Sequence, residues 1–574
     1  MRSIAHVVLA LIGFGIPSAM SLSIPSSQQI LKSWSGTNNI CPLAPKVEVP
    51  KDGLLSALRY VQDGTIRLQQ VDRLSRAVQI PTTVNDYMTD PFDEGFAPFV
   101  EFQELLESLF PLIHSYASVD HINRLGLLYT LNGTDDSLKP SCSWLTKTLY
   151  RSMILPTGPT HLLPATSMAT SDCKNVLIGL LSVIEDLLQQ NWQPTRTIVL
   201  AFGFDEESHG FLGAGSLSSA LEKKYGPDSF EFILDEGGMG LESLDDDVVY
   251  ALPGVGEKGS IDIVLSLDVA GGHSSIPPPH TGIGIMAEIV YELERQALFV
   301  PVLTDDHPSR RMLECQARYS PNHVEPWLAS GLQSSDHVAL AEKLASSRGD
   351  AFRYILQTSQ AADIFNGGIK SNALPEKISA LVNYRIALHQ TPELIKQRAI
   401  DIIAPIADKH NLSWTAFPET TATTADKPAV NNHLTLSTLS TPLVPAPVSP
   451  TNIDTDAVWA RFTGVTRTSF ESVPSLKGKT VVVSGDIMTG NTDTRFYWAL
   501  SRNIYRWSPS RRGGSLNIHT VDERVAIDVH LEAMVLYYSM SISLTTECLS
   551  VLTFLDLIRS FDTWNDSVEI SHDL

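Results

Sequence analysis

A buried strand that runs into three consecutive acids constrains this chain more than any other feature. Residues 197–202 form a short apolar run of the kind that a fully buried strand needs. After two further residues come Asp205, Glu206 and Glu207. A glycine-bearing segment typical of a helix start follows them. Three carboxylates at the mouth of a buried strand repel one another and lose hydration. We therefore expect a positive charge at this point, and a metal ion is the simplest source of it.

Length and charge limit the classes of protein to which the chain can belong. Its 574 residues leave room for two or more domains, and 43% hydrophobic with 18% charged residues is ordinary for a globular protein. The formal charge is −22, from 42 basic and 64 acidic residues. Because an excess of negative charge repels polyanions, we expect neither nucleic acid nor an anionic membrane surface as the main partner.

The amino terminus has the pattern of a targeting segment, with Arg2 ahead of a short apolar run and several small residues. A membrane span needs about 20 apolar residues, so this shorter run predicts a cleaved signal peptide over residues 1–21. A signal anchor is the alternative, and membrane contact is expected only in that case. We expect a protein of the secretory pathway, vacuolar or extracellular. Three sequons predict a glycoprotein: Asn132, Asn411 and Asn565.

Strand and helix signals alternate up to about residue 250 and again after residue 458, which predicts an α/β fold with its chemistry at the carboxyl ends of strands. Between these parts, residues 260–270 and 378–387 alternate apolar and polar side chains like half-exposed strands. Residues 420–451, rich in Thr, Pro and Ser, predict a linker or loop. We predict a catalytic domain with a central mixed sheet flanked by helices, and an inserted α+β lid or dimerisation domain with an antiparallel sheet.

The predicted divisions follow these changes of pattern. They are a signal peptide or anchor over 1–21, an N-terminal extension over 22–95, the first part of the catalytic domain over 96–256, the inserted domain over 257–430, and the second part of the catalytic domain over 431–574.

Four blocks of acids or histidine, far apart in sequence, each lie beside an apolar run. They contain Asp172, the acids 205–207, Asp235 and His519. Taken singly, Asp172 indicates a helix cap, the triple acid a solvated helix N-terminus, and His519 a surface or core histidine. Four such blocks in one chain favour a shared site, because carboxylates and imidazoles together are the ligand set of zinc.

Several motifs together resemble one known family. They are Ser-Asp-Cys-Lys-Asn (171–175), Leu-Ala-Phe-Gly-Phe-Asp-Glu-Glu (200–207), Leu-Asp-Glu-Gly-Gly (234–238), Gly-Gly-His-Ser-Ser (271–275), Asn-Ala-Leu-Pro-Glu (372–376), Gly-Asn-Thr-Asp-Thr-Arg (490–495) and Asn-Ile-His-Thr-Val-Asp-Glu-Arg (517–524). The chain resembles the co-catalytic zinc peptidases that include aminoacylase, carnosinase and bacterial glutamate carboxypeptidase. Its pattern is most similar to the fungal carboxypeptidase S, or Gly-Xaa carboxypeptidase, branch.

The resemblance implies two zinc ions per subunit. Asp172 matches the carboxylate that bridges the two ions, Glu207 and Asp235 match terminal ligands, and His519 matches the distal histidine ligand. Glu206 matches the general base, which takes a proton from the attacking water and delivers it to the leaving amine. The implied activity is hydrolysis of short peptides or N-acyl amino acids that have a free carboxylate.

The resemblance also implies substrate contacts from the inserted domain. His273 matches a residue that reaches the neighbouring subunit's site and steadies the oxyanion, which implies a homodimer through that domain. Asn372 and Arg385 match further substrate contacts. Arg495 is either a clamp for the substrate carboxylate, because its planar fork fits that group, or part of an ordinary surface ion pair.

One block of the family pattern is missing from the chain. The family has a His-x-Asp-Val-Val-Pro segment upstream of the bridging aspartate, which supplies a histidine ligand and an aspartate that orients it. Residues 141–170 match nothing in that pattern. Read one nucleotide out of register, codons for residues 142–152 permit Leu-Met-Ala-His-Gln-Asp-Val-Val-Pro-Val. We therefore hypothesise that residues 142–170 are a frameshifted or mis-spliced reading of the metal block.

Two other functions remain open on the sequence. A catalytically impaired member, kept as a dimeric binding or scaffold protein, is favoured by the missing block. A glycosidase that uses Glu206 and Asp235 as its carboxylate pair needs no metal, but it leaves His519 and His273 without a role.

Overall fold

The computed structural model describes residues 40–49, 53–85, 87–146, 173–296, 299–418, 432–517 and 523–543. The predicted signal segment 1–21, Asp172, His519 and Asn565 lie outside these residues.

The described residues form α-helices along much of their length, numbered here in chain order. They are α1 (Arg59–Gln62), α2 (Gly64–Gln79), α3 (Ala97–Leu109), α4 (Pro111–Tyr116), α5 (Asn175–Gln189), α6 (Ala214–Tyr225), α7 (Gly282–Arg295), α8 (Pro308–Tyr319), α9 (Leu328–Gly331), α10 (His337–Arg348), α11 (Asp350–Leu356), α12 (Pro392–Lys409), α13 (Ala457–Ser472) and α14 (Ile527–Ser543).

Strands lie between these helices. They are β1 (Ser118–Ile122), β2 (Gly126–Leu131), β3 (Ser141–Thr146), β4 (Ile198–Phe202), β5 (Ile233–Asp235), β6 (Leu241–Glu242), β7 (Val248–Ala251), β8 (Gly254–Glu257), β9 (Gly259–Asp268), β10 (Gly272–His273), β11 (Ser359–Gly367), β12 (Ala373–Leu374), β13 (Lys377–Ile386), β14 (Ser413–Ala416), β15 (His433–Thr438), β16 (Thr480–Val483), β17 (Asp486–Met488), β18 (Ile504–Arg506), β19 (Ser515–Leu516) and β20 (Arg524–Val525).

The described strands form an eight-stranded mixed sheet in the order β1-β2-β4-β3-β5-β18-β8-β17. Strand β4 is buried along its whole length, as its continuous apolar run predicted. Helices α5 and α14 pack together beside this sheet, with Leu181 and Met534 in their shared core. These layers confirm the predicted α/β class.

A second sheet of five described strands has the order β11-β13-β9-β15-β14. Strands β9 and β13 alternate buried and half-buried side chains along their length, the period that a one-sided sheet requires. Helices α7 and α12 cover the buried face, where Ile263, Met286 and Ile403 meet. The chain passes from the first sheet to the second at Lys258, between β8 and β9.

The linker predicted over residues 420–451 is wrong in part. Within it, β15 pairs with β9 from His433 to Thr438 and completes the second sheet. Leu434 and Leu436 of this strand are buried. Two apolar side chains and the backbone hydrogen bonds offered by β9 therefore account for a strand in a segment rich in Thr, Pro and Ser. The predicted boundary between the inserted domain and the second part of the catalytic domain, at residue 430, falls just before this strand. The division into domains stays a prediction.

The segment of residues 40–49 is tied to the body by a disulfide between Cys41 and Cys315, whose Cα atoms lie 5.2 Å apart. The carbonyl of Ala44 accepts a hydrogen bond from Arg467, and that of Val47 accepts one from Thr468 at 2.8 Å. Disulfides persist in oxidising compartments, so this bond is typical of an exported protein. Among the described helices, none combines the length and apolar character that crossing a membrane requires.

Candidate active site

The loop after β4 is folded by Asp205. Its carboxylate is almost fully buried and accepts hydrogen bonds from the backbone N–H groups of Leu212 and Gly213, each at 2.7 Å. The carbonyl of Asp205 also accepts from the N–H groups of Ser208 and Gly210. Burial raises the pKa of Asp205, and the two amide donors oppose that shift. Asp205 therefore closes the loop that presents its two acidic neighbours.

Glu206 and Glu207 lie on a short 3-10 turn, Glu206–Ser208, inside this loop. Both side chains are partly exposed, unlike Asp205. The turn ends at His209, whose positive φ of 80° redirects the backbone. In this loop Asp205 is buried and structural, whereas the side chains of Glu206 and Glu207 stay partly exposed.

Asp235 ends β5 and is buried beside the same site. Burial is the main cause that raises the pKa of Asp235 well above its ordinary value, and the charges of Glu257 and Glu206 add to it. Its Oδ1 atom has no hydrogen-bond partner within the described residues. A buried carboxylate oxygen left without a partner is costly unless a cation or donor meets it. This orphan oxygen fits a metal ligand.

Asp493 joins these acids, and the sequence analysis missed it. It begins the 3-10 turn Asp493–Phe496 and packs so closely on Gly210 that a Cβ there would lie 1.9 Å from its Oδ1. Burial first, and then the charges of Glu206, Asp205 and Asp235, raise the pKa of Asp493 well above its ordinary value. Asp493 lies in the motif at 490–495, two residues before the predicted substrate contact Arg495.

Arg495 lies at the rim of the cluster. Its guanidinium donates to the carbonyl of His209 and lies over the rings of Phe211 and Phe496, at 5.1 and 4.7 Å from their centroids. The charge of Arg495 lowers the pKa of Asp205 and of Asp493, against the larger effect of burial. The aromatic rings hold the guanidinium plane beside the loop that presents Glu206.

The other three predicted substrate contacts lie between residues 257 and 430, and of these only Arg385 is on the five-stranded sheet. His273 is exposed on β10, which pairs with β12, and its Nδ1 lies 2.7 Å from the hydroxyl of Ser275. Within the motif at 271–275, Gly272 and His273 form this two-residue strand. The carbonyl of Asn372 accepts from Ser274 N–H at 3.3 Å, so Asn372 lies beside His273. Arg385, on β13, donates from Nη1 to Oδ1 of Asn491 at 3.0 Å.

Two of the four predicted metal ligands, Asp172 and His519, fall outside the described residues. Within the described part, no three side chains of His, Cys, Asp or Glu are arranged to hold a metal on their own. Within the described residues, Glu206, Asp235 and Asp493 lie close enough for their charges to interact. Glu207 follows Glu206 on the same turn. A cation would neutralise this excess of carboxylate.

Comparisons with known proteins agree with the sequence motifs. The sequence model of the peptidase family M20/M25/M40 matches residues 168–542. Carboxypeptidase S of Saccharomyces cerevisiae is 35% identical over 520 residues, 87% of this chain and 87% of its own length. A second protein of that yeast, described as a putative carboxypeptidase, is 34% identical over 92% of this chain and 93% of its own length.

The solved structure of human carnosine dipeptidase 1 has the same fold. It aligns with a TM-score of 0.54 over 85% of this chain and 98% of its own, at 11% sequence identity. The family match begins at residue 168, so it leaves out the anomalous residues 142–167.

Proposed function

The chain belongs to the peptidase family M20/M25/M40, and from that premise we propose that it is a zinc carboxypeptidase. It hydrolyses the amide bond next to the free carboxylate of short peptides or N-acyl amino acids. The observation that carries this proposal is the buried acidic cluster, in which Oδ1 of Asp235 has no partner among the described residues. A site built for a neutral or anionic group would not bring so many carboxylates together.

Two zinc ions are the proposed cofactors, and Asp172, Glu207, Asp235 and His519 would hold them. When bound, the pair acidifies a water molecule and polarises the scissile carbonyl. The carboxylate oxygens of Asp235 and Glu207 suit this role, because zinc takes nitrogen and oxygen ligands.

Glu206 is the proposed general base. Its place on the turn Glu206–Ser208 keeps its side chain partly exposed at the mouth of the cluster. From there Glu206 takes a proton from the attacking water and passes it to the nitrogen of the leaving amine. Asp205 supports this work by holding the loop rather than by contacting the substrate.

Four residues are the proposed substrate contacts. Arg495, held flat by two aromatic rings, presents a planar cation suited to a free carboxylate. Arg385 contributes from strand β13 and Asn372 from the residue before β12. His273 steadies the oxyanion across a dimer interface.

A homodimer through the second sheet is part of the proposal. Strand β11 is an edge strand in the described sheet, and its Ile364 and Phe365 are about half exposed. Tyr291 on the neighbouring helix α7 is also exposed. An open edge with apolar side chains suits pairing with a second copy. Light scattering that finds a monomer would contradict it.

The secretory pathway is the proposed location, vacuolar or extracellular. The disulfide Cys41–Cys315 supports an oxidising compartment. Asn132 and Asn411 are exposed, so both sequons are accessible for glycosylation.

A chelator experiment tests the proposed reaction. The protein is incubated with a glycyl-leucine dipeptide blocked at its amino end, with and without a zinc chelator. We expect release of leucine that stops with the chelator and returns with added zinc. Activity indifferent to the chelator would contradict the metal mechanism.

A second candidate, an impaired family member that binds but does not cut, is favoured by one observation. The family match starts only at residue 168, and residues 141–170 lack the His-x-Asp block. Zinc content distinguishes the two candidates.

A further inference from the structure

An exposed aromatic ring lies at the rim of the acidic cluster. Phe211 belongs to the loop that Asp205 closes, and it is 65% exposed. A single exposed apolar side chain is common on protein surfaces. Phe211 differs from such a residue because its backbone is fixed and its ring lies beside a second ring and a cation. The roles proposed above use Phe211 only as a support for Arg495.

The backbone on both sides of Phe211 is held by hydrogen bonds. Before it, the N–H of Gly210 donates to the carbonyl of Asp205 at 2.8 Å. After it, the N–H of Leu212 donates to the Asp205 carboxylate at 2.7 Å, and Nδ2 of Asn123 donates to the carbonyl of Leu212 at 3.0 Å. Phe211 is therefore exposed without being loosely held, and a preformed contact costs a ligand little ordering entropy.

The ring of Phe211 is also held from the side. Phe496 meets it edge to face, with ring centroids 5.5 Å apart and planes at 73°. The guanidinium of Arg495 lies 5.1 Å from the centroid of Phe211 and 4.7 Å from that of Phe496. Most of Phe211 nevertheless remains exposed, so its ring can contact a ligand at the same time as it contacts Arg495.

The ring and the cation are close enough to be reached by one amino acid. Its side chain branches from the carbon that carries the carboxylate. A carboxylate bound to Arg495 therefore brings that side chain towards the ring of Phe211. Contact with the ring favours a large apolar side chain over the hydrogen atom of glycine, because the apolar group leaves water. A charged side chain would lose hydration there without gaining a partner.

We propose that Phe211 is a specificity-determining residue, whose ring contacts the side chain next to the substrate carboxylate and favours a large apolar one. The proposal rests on the proposed function, because it takes Arg495 as the clamp for the carboxylate. Arg495 selects for the carboxylate, and Phe211 selects among the amino acids that carry it.

Binding of N-acetyl amino acids to the full chain tests the proposal without zinc or turnover. The probes are N-acetyl-leucine, N-acetyl-glycine and the amide of N-acetyl-leucine, and ligand-observed NMR gives their dissociation constants. We expect the wild type to bind N-acetyl-leucine about 10-fold more tightly than N-acetyl-glycine, because part of the isobutyl group leaves water. It should also prefer the acid to the amide, which lacks the carboxylate. Phe211→Ala is expected to lose the first preference and keep the second.

Phe92→Ala is the matched control. Phe92 is 71% exposed and has the guanidinium of Arg124 at 5.1 Å from its centroid, which is the same arrangement in another loop. This variant should bind all three probes like the wild type.

The ratio of the two acids separates a substrate contact from a structural role. If loss of the ring only loosened Arg495, both acids would bind more weakly by the same factor and the 10-fold preference would remain. That result, or a wild type that does not distinguish the two acids, would overturn the proposal and leave the clamp in place. A wild type that binds the acid and the amide of N-acetyl-leucine equally would instead contradict the clamp of the proposed function, and this proposal with it.

Discussion

Asp205 and Gly213 are joined by a hydrogen bond of 2.7 Å, from the backbone N–H of Gly213 to Oδ1 of the carboxylate. The other oxygen accepts from Leu212, so both ends of the carboxylate hold one loop. Asp205→Asn keeps the shape but turns one acceptor into a donor, which leaves a buried N–H unpaired. We expect the free energy of unfolding to fall by about 1–3 kcal/mol. Urea denaturation measures this, and an unchanged midpoint would show that the loop does not depend on Asp205.

Glu206→Gln is expected to lower activity and leave stability unchanged, whereas Asp205→Asn lowers stability. The amide cannot accept the proton of the attacking water, so kcat on the blocked dipeptide should fall by about 10²- to 10⁴-fold. The melting temperature and zinc content should stay at wild-type values, because the side chain is partly exposed and is not a proposed ligand. A variant with normal kcat would remove Glu206 from the mechanism.

The strong local patterns were sufficient to predict much of the fold. The apolar run of β4 and the alternation along β9 and β13 appear in the structure near the predicted bounds. Each of these elements follows from a period that its own residues carry. The motifs likewise predicted the family, which the comparisons confirm.

What the sequence did not predict depends on contacts between distant segments. Asp493 is buried by Gly210, which lies in another loop, so nothing beside it in sequence indicates its environment. The pairing of Cys41 with Cys315 spans 274 residues, and five cysteines permit many pairings. Strand β15 exists because β9 offers it an edge. The roles proposed for the site residues stay predictions.

Asp486 is expected to make stability depend on pH. It is buried at the start of β17, and burial first, then the charge of Glu242, raises its pKa from 3.8 to about 6. The folded state therefore holds a proton between these values that the unfolded state has lost, so this carboxyl lowers stability as pH rises through 6. The cost at pH 7 is about 3 kcal/mol.

Asp486→Asn removes that cost. The amide oxygen can still accept from the hydroxyl of Ser309 and the N–H of Ile487, which donate to Oδ1 at 2.6 and 2.9 Å. We expect the variant to be up to about 3 kcal/mol more stable than the wild type at pH 7, with the difference shrinking towards pH 4. Urea denaturation at both pH values measures it, with the exposed Asp120→Asn as control. If the difference in unfolding free energy between Asp486→Asn and the wild type did not change with pH, the raised pKa of Asp486 would be contradicted.

The disulfide between Cys41 and Cys315 is expected to stabilise the protein by restricting the unfolded chain. Cys41→Ser should lower the free energy of unfolding by about 2–4 kcal/mol. Reductant should shift the unfolding midpoint of the wild type in the same direction and leave that of Cys41→Ser unchanged. A Cys41→Ser protein that unfolds at the wild-type midpoint would show that the hydrogen bonds of Ala44 and Val47 hold this segment without the disulfide.

The zinc content of the chain tests the missing block. The frameshift hypothesis assigns the two-zinc site to the gene product with an intact metal block. The chain with residues 142–170 as they stand has Glu207, Asp235, Asp172 and His519 but no His-x-Asp segment, so under this hypothesis elemental analysis finds fewer than two tightly bound zinc ions on it. Replacing residues 142–152 with Leu-Met-Ala-His-Gln-Asp-Val-Val-Pro-Val, the reading one nucleotide away, should restore two ions and raise hydrolysis of the blocked dipeptide. Sequencing the transcript across residues 140–171 shows which reading the cell uses. A transcript that encodes 142–170 in frame, together with two zinc ions on the printed chain, would refute the frameshift and require a different set of ligands.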